Sequence, residues 1–228
     1  MDRISHILCK YTYKLAVNSA VLYHGTPIKE NYQRILKKGL LPNQASIYLE
    51  ESSPLEGGIY LTKDFGNAVR YSFISQTDDY EKDRKKEPNG YVFEFSNLDK
   101  LNMTPDEDEL GAWAASVINK KLPDSLRSAF EDMPDELYQK IKKPDPSFSV
   151  MAQVGKWLIK RFSKRVLNNI RKSKDFFNVV VYEPIKPTAV WVIPKAKEQF
   201  LRDNNNSFNT TQGWGDYGKK YGKRKSIG

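Results

Sequence analysis

A chain of 228 residues, 39% hydrophobic and 12% aromatic, can bury one sizeable core and is expected to form one domain with appendages. No apolar run approaches the roughly 20 residues that cross a bilayer, so no membrane partner is expected, and the single Cys9 excludes an internal disulfide or a cysteine-based zinc site. With His6 and His24 the only histidines, no metal site is expected; the lone thiol points to a reducing cytoplasm, and the net charge of +9 to a polyanionic partner.

Ile4, Ile7, Leu8, Tyr11 and Leu15 recur at helical spacing, so residues 1–19 are read as an amphipathic N-terminal helix and not a signal peptide. Ala20 to Tyr23 read as a short buried strand. Pro27 to Lys38 follow as a helix with Ile28, Tyr32, Ile35 and Leu36 on one face, closed by Gly39. Residues 43–57 read as a loop, Gly58 to Leu61 as a strand, and Asp64 as the cap of a helix reaching about Ser75. The charged stretch 77–90 reads as a mobile loop and Tyr91 to Phe95 as a strand. Thr104-Pro105-Asp106-Glu107 has the form of a capping box, predicting a helix through Ile118. Residues 123–148 are expected to hold one short helix, and Ser149 to Lys172 one long one. Phe176 to Tyr182 and Thr188 to Val192 read as β-branched strands. The composition of residues 201–228 predicts a disordered basic tail. Helices and strands intermix without strict alternation, which favours an α+β fold, with the main domain spanning 20–200.

The chemistry concentrates in two short segments, Leu22-Tyr23-His24-Gly25-Thr26 and Gly58-Ile59-Tyr60-Leu61-Thr62, with Tyr71 eleven residues after Tyr60. A strand ending at His24-Gly25 offers a bare backbone N–H and C=O to a ligand carboxamide, and His24 can hydrogen-bond a ribose hydroxyl. Two tyrosines, one on a strand and one on the helix after it, can sandwich a flat aromatic cation with a gain of roughly 1–2 kcal/mol. An isolated His-Gly pair reads as a core histidine before a turn; the ordered set of His24, Tyr60 and Tyr71 reads as an NAD clamp.

His24-Gly25-Thr26 followed by Gly58-Ile59-Tyr60-Leu61-Thr62-Lys63-Asp64-Phe65-Gly66-Asn67-Ala68-Val69-Arg70-Tyr71 resembles the ADP-ribosyltransferase superfamily on its diphtheria-toxin-like, poly(ADP-ribose) polymerase side. The resemblance covers residues 20–195. It implies two packed, mostly antiparallel sheets with flanking helices, and NAD as substrate without a metal. It makes His24 and Tyr60 the first two members of a His-Tyr-Glu triad. Gly25 would hold the nicotinamide amide and Tyr71 the ring, with Tyr23 and Thr26 among the NAD-binding residues. The family's glutamate position falls on Asn178, which opens Asn178-Val179-Val180-Val181. An amide can hydrogen-bond the ribose 2′-hydroxyl but supplies no charge to the oxocarbenium-like state. Losing such electrostatic help typically costs about 2.7–4 kcal/mol. The resemblance therefore implies transfer of a single ADP-ribose to a protein or nucleic-acid acceptor. The alternatives are an inactive NAD or ADP-ribose binder, or a structural, virion-associated protein. A related RNA 2′-phosphotransferase is disfavoured by the lack of a third histidine. Size and basic tail would suit a phage or bacterial effector.

Charge is unevenly spread. Residues 104–137 hold nine acids against three bases, and Asp106-Glu107-Asp108-Glu109 reads as acids at a helix N-terminus, with a catalytic role as the alternative. Residues 156–174 hold eight Lys and Arg and no acid, and 219–225 five more. Lys160, Lys164, Arg165 and Arg171, and the tail with Trp214, Tyr217 and Tyr221, are candidate nucleic-acid contacts; a solvated helix face is the alternative.

Overall fold

The computed structural model describes residues 21–42, 58–73, 88–98, 101, 103–118, 130–173, 176–195 and 210–227. The expected N-terminal helix, the loop at 43–57 and most of the charged loop at 77–90 lie outside the described residues. In chain order the elements are β1 (Leu22–Thr26), α1 (Lys29–Lys38), β2 (Ile59–Thr62), α2 (Phe65–Tyr71), β3 (Asn89–Phe95), β4 (Met103–Pro105), α3 (Glu107–Ile118), α4 (Asp135–Ile141), α5 (Phe148–Arg161), α6 (Lys164–Ser173), β5 (Asn178–Val181), β6 (Ala189–Pro194), α7 (Thr211–Tyr221) and β7 (Lys223–Ser226). The class is α+β, and the ladders among the described residues are antiparallel. By chain contacts the described residues form two compact units, one of residues 103–181, the other of 21–101 with 182–227.

In the unit that carries β1, five strands run in the order β2-β1-β3-β6-β7. β1 pairs with β3 along its whole length, from Leu22↔Phe95 to Thr26↔Tyr91. Paired residues share a face, so alternation puts Leu22, His24 and Thr26 with Phe95, Phe93 and Tyr91 on one side. Tyr23 and Gly25 lie with Glu94 and Val92 on the other. On the first face Tyr32 of α1 stacks on Tyr91 with ring centroids 4.4 Å apart, and Ile35 is buried. α1 ends as expected at Gly39, whose φ of 81° is open to glycine and whose N–H donates to the Ile35 carbonyl at 2.8 Å. On the second face Ala68, Val69 and Phe73 pack with Val92, Ile193, Trp214 and Tyr217.

Two of those core residues come from the segment expected to be a disordered tail. The structure corrects that expectation for 210–227. Thr210 caps α7 by accepting the Gly213 N–H at 3.2 Å, Trp214 and Tyr217 turn inward, and β7 pairs with β6 from Val192↔Lys223 to Ala189↔Ser226. Composition registered the lysines and glycines. It missed two aromatics spaced to lie on one helix face.

The second unit packs α3 against α5 so closely that a Cβ on Gly111 would meet the Met151 carbonyl at 1.8 Å. Leu110, Trp113, Ile141, Val154, Leu158 and Ile170 are among its core residues. Two expectations are corrected here. Thr104 does not cap a helix: it lies in β4 opposite Val180, and Asp106 is the cap, accepting the Glu109 N–H on Oδ1 at 2.8 Å. The long helix from 149 to 172 is two helices. Phe162 is extended, and Ser163 accepts the Val166 N–H at 3.4 Å, beginning α6. A serine that offers a new cap competes with continuation of the helix.

Candidate functional site

His24, Gly25, Thr26, Tyr60 and Tyr71 all fall in the same unit, on β1, β2 and the last residue of α2. The Gly25 side-chain position is filled by α2: a Cβ there would meet the Ala68 carbonyl at 2.0 Å and the Ser72 nitrogen at 2.9 Å. Ala68 and Ser72 flank Tyr71 along the chain. The missing side chain therefore seats the helix end that carries Tyr71 directly on β1, and the space expected for a ligand on that side of Gly25 is taken by helix backbone. The Tyr71 ring is 41% exposed. It has the accessibility a stacking residue needs.

The one described ladder pair of β1 and β2 is Tyr23↔Thr62, whereas β1 pairs with β3 along all five of its residues. Beyond Tyr23 the link is a side chain: His24 Nδ1 donates to the Tyr60 carbonyl at 3.1 Å. The Tyr60 ring, by alternation from Thr62, lies on the Tyr23–Gly25 face, the face on which α2 packs. His24 points to the opposite face. His24 is thus linked to Tyr60 through the Tyr60 main chain, while the two side chains lie on opposite faces of their strands.

That hydrogen bond sets the tautomer and leaves Nε2 an acceptor. Burial pulls the His24 pKa down, the Tyr60 carbonyl raises it, and Arg34 of α1 lowers it again. His24 is therefore a neutral acceptor at neutral pH. Arg34 is positioned by a relay that sequence reading missed: its Nη2 donates to Asn31 Oδ1 at 3.0 Å, and Asn31 Nδ2 donates to the buried Thr26 Oγ1 at 3.3 Å. The available signal was the i, i+3 spacing of Asn31 and Arg34 on the helix that follows His24-Gly25-Thr26.

Tyr23, expected among the NAD-binding residues, packs edge-on against Phe65 at 5.3 Å. Its pKa is raised by burial and by Glu94, and eased by Arg224. Glu94 itself is 6% exposed and is held by Arg224 through Nη2 at 2.7 Å and by the Trp191 indole N–H.

Asn178 belongs to the other unit. Its N–H and that of Phe177 donate to the two carboxylate oxygens of Glu109 at 2.8 and 2.7 Å, and its carbonyl accepts from Asp106 N at 3.3 Å. The acidic cluster thus reaches the start of β5, with Glu109 as a clamp on main-chain amides. Burial, ahead of the neighbouring carboxylates, pushes Asp106 up to about 8; burial and Glu107 push Asp108 up to about 6. The basic stretch of α5 and α6 buries Val166, Leu167 and Ile170 and exposes Lys160 and Arg165. Arg161 pairs with Asp132, Arg171 donates to Asn168 at 3.1 Å, and the Lys164 side chain lies outside the described residues. Lys219, Lys220, Lys223 and Lys225 are exposed. Among the described residues no cluster of His, Cys, Asp and Glu could hold a metal, and no helix is long and apolar enough to cross a membrane. No protein-family model, curated protein or solved structure matches the chain.

Proposed function

We propose that the chain binds NAD between His24, Gly25, Tyr60 and Tyr71, and acts as a mono-ADP-ribosyltransferase-like protein on a protein or nucleic-acid acceptor. The observation that carries this reading is the docking of α2 on Gly25, which seats the exposed Tyr71 beside the strand whose His24 is tied to Tyr60. In this reading the nicotinamide carboxamide meets the Gly25 main chain, its ring stacks on Tyr60 and Tyr71, and neutral His24 accepts a hydrogen bond from a ribose hydroxyl. Nicotinamide leaves with the electron pair of the glycosidic bond, and the acceptor nucleophile takes its place on the ribose carbon. The finer fold assignment, two packed antiparallel sheets of ADP-ribosyltransferase type, belongs to the same proposal, as do a cytoplasmic setting and an effector role. The exposed lysines at 219–225 support a nucleic-acid acceptor over a neutral one.

A second reading, a binder of NAD or ADP-ribose without turnover, is favoured by Asn178. An uncharged amide stands where the family has its glutamate, and both oxygens of the nearby Glu109 carboxylate are engaged by main-chain amides. Isotope-labelled NAD separates the readings. Nicotinamide release that is abolished in His24→Ala and Tyr60→Ala, and increased in Asn178→Glu, is expected for the enzyme. Binding without release in any variant supports the second reading. Absence of NAD binding overturns both.

A further inference from the structure

We infer that Arg34 and His24 together hold a sugar phosphate: the guanidinium binds the phosphate while His24 Nε2 accepts a hydrogen bond from a hydroxyl of the ribose. The inference rests on the NAD-binding reading, with the dinucleotide's pyrophosphate as the anion. Three observations lead to it. His24 Nδ1 is committed to the Tyr60 carbonyl, so its remaining nitrogen can only accept, which suits a hydroxyl and not a phosphate. Arg34 is tied through Asn31 to Thr26, which shares the His24 face of β1, so the arginine supplies a fixed positive charge on that face, one that also disfavours a proton on His24. Arg34 is also aimed. The relay from Thr26 through Asn31 holds one guanidinium nitrogen and leaves the rest of an exposed fork to donate. Among the described residues no carboxylate is paired with Arg34. A cation tethered to the strand of the histidine, on its face and without a carboxylate partner among the described residues, is an arrangement that an anionic ligand completes. A purely structural Arg34–Asn31 bond on an exposed helix face would contribute little and would have no preference for phosphate.

The test uses the full chain and three probes: NAD, nicotinamide riboside, which lacks phosphate, and ribose 5-phosphate. Affinities are measured at two salt concentrations for the unmodified protein, Arg34→Gln and Arg34→Lys, and the His24 ring resonance is followed by NMR. Arg34→Gln should weaken NAD about tenfold, flatten its salt dependence and leave nicotinamide riboside unchanged. Arg34→Lys should fall between, since it keeps the charge and loses the fork. Equal weakening of both ligands, or no change in NAD affinity, overturns the inference. If the unmodified protein binds no NAD yet ribose 5-phosphate shifts the His24 resonance in an Arg34-dependent way, the NAD reading falls and the sugar-phosphate site stands. If neither probe acts, both fall.

Discussion

His24 and Asp106 are both shifted by burial, and the consequences for stability have opposite signs. The folded His24 pKa lies below its ordinary 6.5, so the folded state binds fewer protons; the stability present above 6.5 is lost as pH falls below that value. Asp106 is raised from 3.8 to about 8, so the folded state keeps a proton that the unfolded chain loses. Its contribution is full below 3.8 and is lost as pH rises toward 8, with a slope of at most about 1.4 kcal/mol per pH unit. Asp108 acts in the same sense up to about 6. Between 6.5 and 8 Asp106 stands alone of the three. Urea midpoints should fall across that window in the unmodified protein and stay level in Asp106→Asn, which keeps an acceptor for the Glu109 N–H. A level midpoint in the unmodified protein would contradict the assignment. At this scale the placement of His24 and Tyr60 on strands and of Tyr71 on the helix after Tyr60 was legible, because each rests on a signal within its own segment. The link of Arg34 through Asn31 to Thr26 was not legible, because only folding brings α1 to β1.

α2 is a helix of seven residues, too short to stand by propensity alone. It is held at its start by Asp64, whose side chain accepts the Asn67 N–H at 3.2 Å, and near its end by contact with Gly25. Gly25→Ala puts a methyl into the Ala68 carbonyl. It is expected to cost about 1–3 kcal/mol in chemical denaturation and, on the proposed NAD-binding reading, to weaken NAD binding, because Tyr71 moves with the helix. Asp64→Ala should cost about 1 kcal/mol through loss of the cap. If Gly25→Ala lowers stability but leaves NAD affinity intact, α2 is scaffold only. The elements that could be read in advance were those whose signals lie inside them, such as α1 with its apolar face and Gly39. Boundaries were misread where two signals compete: Thr104 as cap against Thr104 in the β4–β5 ladder, and an amphipathic run against the Ser163 cap.

Across the whole chain, the described residues of the basic C-terminal segment, 210–227, belong to the unit that carries His24. β7 is fastened by Arg224 on the buried Glu94 and by the Ile227 N–H on the Thr188 carbonyl at 2.9 Å. Arg224→Ala should lower the melting temperature and raise hydrogen exchange at the Ile227 and Lys225 amides; unchanged exchange would show that strand pairing alone holds β7. Deleting 210–228 uncovers Val92 and Ile193 and should abolish cooperative unfolding of that unit. The amino-acid sequence by itself determined the α+β class and the strand and helix that carry Tyr60 and Tyr71. Periodicity, caps and motif spacing act over a few residues and are written along the chain. Tertiary structure decided that Gly25 receives a helix, that Glu109 clamps the start of β5, that Arg34 is tied through Asn31 to Thr26, and that the lysine-rich segment 210–227 holds a helix and a strand. Each of these depends on which distant segments bury each other's apolar surface and satisfy each other's polar groups, and local composition does not encode that.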